Sequence, residues 1–205
     1  MSHFITFEGG EGCGKSTQAR LLYQRLKKMA VPVILIHEPG VTALGKRVTR
    51  LLKWSQDIKI SPLAELLLFN VSRAQLVTEV IRPNLEKGIN IICDRYSDST
   101  TAYQGYGRRL DLPDVKKVNS IAMQGMVPGL TILLDMHVGK GLERKNKIKP
   151  DRFQKQSQAF HKRVREGFLE LAGDEPERWL VIDAAKSKKA IAGIIWERVS
   201  KLVKK

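Results

Sequence analysis

Hydrophobic positions along the chain follow two alternating patterns. Short apolar runs rich in β-branched residues occupy 4–7, 33–36, 89–93, 130–134 and 180–182, each bounded by Gly, Pro, Asn, Trp or Asp. Runs this short and continuous predict strands buried on both faces, as a parallel sheet requires. Between the first two lies 16–29, where Leu21, Leu22, Tyr23 and Leu26 alternate with basic and polar residues, predicting a helix that closes before Pro32. Ser61-Pro62 reads as an N-cap followed by proline at the first helical position. It opens a long helix through Leu66, Phe69 and Leu76, which Pro83 is expected to kink or end. Strand–helix alternation over the whole length predicts an α/β fold of three layers, a five-stranded parallel sheet flanked by helices.

Composition narrows the class. With 205 residues and no repeats, low-complexity segments or Pro/Ser-rich linkers, a single domain over 1–205 is expected. No apolar run approaches the roughly 20 residues of a membrane span, and no secretory leader precedes the first strand, so a cytoplasmic location is expected. The cysteines form no CxxC pair and the histidines show no ligand spacing, which argues against a disulfide framework or a metal cluster. Trp54, Trp179 and Trp196 read as packing residues at element ends. Charge is the abnormal feature: Lys+Arg 36 against Asp+Glu 21 leaves +15, pointing to polyanionic partners. The excess concentrates in 140–165 and in the tail from Lys186. Within the first cluster, 145–151 lacks apolar periodicity and is the candidate for a flap.

Directly after the first predicted strand stands Gly9-Gly10-Glu11-Gly12-Cys13-Gly14-Lys15-Ser16-Thr17, a complete GxxxxGK[ST] phosphate loop. Its glycines let successive N–H groups point into one concavity, and the adjoining helix adds its positive N-terminal end. Lys15 supplies a charge for the β- and γ-phosphates, and the Ser16 hydroxyl can ligate Mg²⁺. Such a loop serves GTPases, motors and small-molecule kinases alike. The chain has no NKxD guanine motif and little room for a motor core, which favours a compact kinase acting on a small phosphorylated acceptor. At the end of the third predicted strand, Asp94 is placed to hold Mg²⁺ through water and Arg95 to reach the transferring phosphoryl group. The plainer reading of that pair is a surface ion pair. A nucleotide-responsive nucleic-acid binder is the competing class, but no helix-turn-helix, RRM or zinc motif is visible.

Four separated signatures carry a resemblance: FEGGEGCGKST at 7–17, LLLFNVSRAQ at 66–75, CDRYSDSTTAYQGYGR at 93–108 and DRF at 151–153. From residue 4 to about 184 the chain resembles the bacterial thymidylate kinase family, whose members phosphorylate dTMP with ATP. The resemblance implies a nucleoside monophosphate kinase fold, ATP and Mg²⁺ as cofactors, and a homodimer packed through helices. With no binding motif and no membrane span visible, no specific nucleic-acid partner and no membrane partner are expected. It implies that residues 9–17 bind the ATP phosphates, with Lys15 catalytic and Ser16 and Asp94 on the metal. It places dTMP against Glu11, Glu38 and Pro39, with Phe69 stacked on the base and Arg73, Thr100 and Gln104 on its edge. Tyr103 lies by the deoxyribose, and Arg95 bridges the two phosphates. Phe69 and Arg73, four apart, share one face of their predicted helix, as joint contact with one ring needs. The plainer reading makes Phe69 core and Arg73 solvated.

In this family the catalytic arginine comes from the phosphate loop or from a lid. The loop here holds no basic residue between Gly9 and Gly14, so the lid, about 144–152, is expected to supply it: Arg152 first and Arg144 second, with Lys145, Lys147 and Lys149 between. The adenine pocket is expected around Ala184 and Ala185. Three positions depart from the family pattern. His37 and Val41 replace an arginine and a glycine in His37-Glu38-Pro39-Gly40-Val41-Thr42, and Thr49 stands where relatives carry an arginine for the dTMP phosphate. Lys46, three residues earlier and on the same helix face, is expected to take over that contact. Cys13 reads either as a reactive thiol beside a helix N-terminus or as a tolerated small loop residue.

Overall fold

The structure, a computed structural model, describes residues 2–55, 57–145 and 151–203. Each apolar run becomes a strand: β1 (Phe4–Glu8), β2 (Val33–His37), β3 (Asn90–Asp94), β4 (Leu130–Asp135) and β5 (Trp179–Asp183). They form one five-stranded sheet in the order β2-β3-β1-β4-β5, with all neighbours parallel. The run at 89–93 shifts by one residue, because Ile89 lies outside β3. The last run starts earlier, because Trp179, buried, joins β5.

Side chains of the strands alternate between two covered faces, which is why the runs are apolar throughout. Ile5, Phe7, Ile92, Ile132 and Leu134 pack under α1 (Lys15–Lys28) and α9 (Lys188–Val203), meeting Leu22, Leu26, Ile191 and Ile195. On the other face Phe4, Ile91 and Cys93 meet Leu76, Val77 and Ile81, and Leu133 meets Phe160, Val164 and Phe168 of α8 (Gln158–Asp174).

Ser61 caps α3 (Pro62–Leu76), its hydroxyl accepting from the Ala64 N–H at 3.3 Å. The helical path does not end at Pro83. A π turn at Val77–Ile81 precedes α4 (Arg82–Glu86), which contains the proline. Widening the turn just upstream redistributes backbone bonds around the proline's missing N–H. Trp54 overturns the expectation of packing: it ends α2 (Ala43–Trp54) and is 49% exposed. The helical period turns it away from the face carrying buried Val48 and Leu52. Trp196 is half-buried, with the Arg25 guanidinium 3.8 Å over its ring.

The chain winds from β1 out to β2, returns to β3 beside β1, and crosses to β4. The carboxyl ends of β1 and β3 therefore flank the point where the winding reverses, the usual crevice for ligands in such sheets. Pairing of Phe7 with Asp94 brings the loop after β1 alongside Asp94-Arg95.

Candidate active site

The phosphate loop joins β1 to α1 as its sequence predicts. Gly12 is required by both conformation and space: its φ is +68°, and a Cβ there would lie 1.9 Å from the Gly141 carbonyl oxygen. That contact packs the loop against α7 (Val138–Lys145). Lys15 is buried, and its Nζ donates to the Gly10 carbonyl at 2.6 Å, holding the ammonium across the loop. The Ser16 hydroxyl donates to the Asp94 carboxylate. Glu11, Gly12, Gly14, Lys15, Ser16 and Thr17 line an outer cavity of about 440 Å³, together with Asp94, Arg95 and Arg144. Cys13 turns into the core instead, with its thiol 3.1 Å from the Gly10 carbonyl. This is the small-residue role, a buried thiol.

Glu8, the last residue of β1, stands in the 7–17 signature but outside the phosphate loop proper, and it organises the second strand end. Its carboxyl accepts from the Tyr96 N–H at 2.7 Å and the Ser99 hydroxyl at 2.5 Å. Burial, reinforced by Asp98, pushes its pKa up to about 8 against the pull of Arg95. An acid at the end of a strand of Phe, Ile and Thr is the signal for it in the sequence. Beside it, Arg95 adopts φ +72°, in the left-handed region that non-glycine residues rarely occupy. Its guanidinium donates to the Gly9 carbonyl and Ser99 at 3.1 Å each, to Glu11 at 2.9 Å and to the Tyr103 hydroxyl at 3.2 Å. Burial alone would lower its pKa, but Tyr103, Glu11, Glu8 and Asp94 outweigh that and hold it above the ordinary arginine range.

An inner cleft opens beyond Arg95. Glu38, Pro39, Phe69, Arg73, Thr100, Tyr103 and Gln104 all line it, so the expected acceptor residues converge. Arg73 is 1% exposed and fully engaged, not solvated. It pairs with Glu38 at 2.7 Å and donates to Asn70, Asn119, the Tyr96 carbonyl and Thr100. Burial raises the Glu38 pKa against the pull of Arg73. Gln104 donates through Nε2 to Glu65 at 2.9 Å, which leaves its amide oxygen for a donor in the cleft. Glu65 is clamped in turn by Arg108 at 3.0 Å. Tyr103 and Gln104 sit on a second π segment, Thr101–Gly107. Phe69 meets Phe153 of the DRF segment at 5.6 Å between ring centres. The same segment's Asp151 lines both cavities, so a stretch expected to serve the lid alone also walls the acceptor side.

Other expected residues are placed differently. Lys46 is exposed and lines neither cavity. Arg152 lines neither, because its Nη2 donates to the Ile60 carbonyl at 3.0 Å and its N–H to the Lys53 carbonyl at 3.3 Å. Arg144, the second choice from the sequence, lines the outer cavity beside the phosphate loop. Lys147 and Lys149 lie outside the described residues. Ala184 is buried and Ala185 exposed, and neither lines these cavities. The residue that no motif indicated is Lys53, which lines both.

A phosphate loop on a 2-3-1-4-5 parallel sheet, joined to a deep cleft lined by an aromatic ring and amide and guanidinium groups, defines a P-loop kinase of the nucleoside monophosphate type. The thymidylate kinase family model matches residues 7–195, so the chain belongs to the thymidylate kinase family. It is 55% identical over 204 residues to a thymidylate kinase of Dehalococcoides mccartyi, covering 100% of this chain and 99% of that one. A Deinococcus radiodurans thymidylate kinase is 46% identical, with 96% of each chain covered. The crystal structure of thymidylate kinase from Ehrlichia chaffeensis superposes with a TM-score of 0.77 at 32% identity, covering 98% of both chains.

Proposed function

We propose that this protein transfers the γ-phosphoryl group of ATP to the 5′-phosphate of dTMP, giving ADP and dTDP. The observation that carries the reading is the junction at Arg95, a cation lining both the phosphate-loop cavity and the inner cleft. An acceptor phosphate entering past the aromatic cleft would meet a γ-phosphate held by the loop. An acceptor oxygen forms the new bond to the γ-phosphorus as the bond from that phosphorus to the β,γ-bridging oxygen breaks. No strong base is required, because a phosphate monoester is already largely dianionic near neutral pH. The chain's part is alignment and charge neutralisation by Lys15 and Arg95.

Ser16 and Asp94 would hold Mg²⁺, which neutralises charge between the β- and γ-phosphates when bound. Their two hard oxygens face each other. Among the described residues no cluster of three ligating side chains is present, which suits an ion that keeps waters and phosphate oxygens as its other ligands. A lid at about 144–152 on a single domain completes the reading, with Arg144 as its cation. The free thiols Cys13 and Cys93 fit a cytoplasmic setting, and no described helix is long and apolar enough to cross a membrane.

The leftover oxygen of Gln104 suits the N3–H of thymine, and Tyr103, packed among Phe153, Phe160 and Phe168, fits a sugar without a 2′-hydroxyl. A coupled ADP-release assay with dTMP, dUMP, UMP, dCMP, dGMP and AMP tests the proposal. Turnover is expected on dTMP, more weakly on dUMP, and Arg144→Ala should lower kcat by about a hundredfold. Turnover confined to another monophosphate would overturn the assignment.

A further inference from the structure

We propose that Lys53 receives the 5′-phosphate of the acceptor, an inference that rests on the dTMP kinase reading above. The two cavities share a wall made of Glu11, Glu38, Pro39, Lys53, Arg95 and Asp151. Three of these six carry carboxyl groups, so a phosphate dianion crossing the junction needs cations to offset them. Among the described residues, Lys53 and Arg95 are the cations that line both cavities. Arg95 follows β3 and Lys53 stands in the last turn of α2, so the two cations reach the junction from different elements. Lys53 brings the second positive charge to a wall that carries three carboxyl groups.

Helix geometry explains why Lys53 reaches the junction and Lys46 does not. Both lie about one turn from Thr49 on the same side of α2, one after it and one before. Side chains on an α-helix lean toward its N-terminus, each covering the turn that precedes its own Cα. Lys53 thus leans back over Thr49, whereas Lys46 leans away from it. Thr49 offers no competing charge: its hydroxyl donates to the Gly45 carbonyl at 2.7 Å. The Lys53 carbonyl also accepts the Arg152 N–H, so the turn that carries the ammonium is tied to the DRF segment. A lysine is a compact point charge with three donors, adequate for a phosphate oxygen without the paired geometry of arginine.

Calorimetric titration of the full chain with dTMP and with thymidine, which has the same base and sugar but no phosphate, tests this assignment. Lys53→Ala is expected to weaken dTMP binding by about tenfold or more while thymidine binding stays within about twofold. Lys53→Arg should restore most of the dTMP affinity. Lys53→Met, which keeps the apolar stem, should behave like the alanine variant, guarding against a loss of packing. Unchanged dTMP affinity in Lys53→Ala would overturn the proposal. So would an equal loss for thymidine, or a loss produced by Lys46→Ala instead. If the unaltered protein turns over a different monophosphate, the dTMP reading fails separately, and the same comparison with that nucleotide and its nucleoside decides the role of Lys53.

Discussion

At the scale of single residues, the site depends on charges held where water is scarce. Glu8 is the clearest case: its carboxyl is buried between the Tyr96 amide and the Ser99 hydroxyl, and so fixes the loop from which Arg95 projects. Between the ordinary glutamate value of 4.5 and about 8 the unfolded chain has this carboxyl ionised while the folded protein keeps it protonated. The folded state binds the extra proton, so this group's contribution to stability falls as pH rises through that window and is at its least favourable above it. Glu8→Gln keeps an acceptor for Tyr96 and removes the titration. Urea midpoints should therefore fall more from pH 5 to pH 9 in the parent protein than in Glu8→Gln, the difference amounting to a few kcal/mol at most. Equal declines in both proteins would show that Glu8 is not the group responsible. At the same scale Thr49 and Lys46 were legible from sequence as a departure and its neighbour. The working cation was not, because its reach depends on how α2 sits against the two cavities.

Elements join through these residues. Arg73, on α3, bonds Glu38 at the end of β2, Thr100 in α5 (Ser97–Thr100) and Asn119 in α6 (Leu112–Met123). Removing it leaves the Glu38 carboxylate buried and unpaired, which costs far more than the net worth of the pair. Arg73→Ala should lower unfolding stability by about 3–5 kcal/mol, read as a lower urea midpoint with an unchanged slope. A midpoint within experimental scatter of the parent would show that Glu38 finds another partner. The strands themselves were legible to within a residue or two, since a strand covered on both faces can hardly be anything but continuously apolar. The π segments at Val77–Ile81 and Thr101–Gly107 were not. Their extra residue per turn leaves the apolar spacing close to that of an α-helix, while it rotates Tyr103 and Gln104 relative to the residues downstream.

Over the whole molecule two features remain outside the chemistry of the site. One is the net charge of +15, whose tail portion, among the described residues from Lys186 to Lys201, lines neither cavity. The other is an apolar face: Leu63, Leu67 and Val71 are exposed at 55%, 46% and 44% and recur every four residues along α3. Ile121 of α6, which packs beside α3, is 78% exposed. A stripe of this kind supports the homodimer implied by the family resemblance. Leu67→Glu should convert a dimer to monomers in analytical ultracentrifugation. A parent protein that already sediments as a monomer at micromolar concentration would sink the idea.

The order of residues along the chain was enough to specify the sheet, the phosphate loop and the kinase chemistry. Those depend on local rules: continuous apolar runs, glycines at fixed spacing, and a strand–loop–helix order that leaves one way to cradle phosphate. Which cations line the two cavities was decided by packing in three dimensions. Packing turned Arg152 onto the Ile60 carbonyl, set Arg144 at the outer cavity, left Lys46 in solvent and brought Lys53 to the junction. The physical reason is that a long charged side chain is nearly neutral in its local preferences. Its place is set by the burial and partners that other elements supply, and in a chain this rich in lysine and arginine no spacing rule can tell one such side chain from the next.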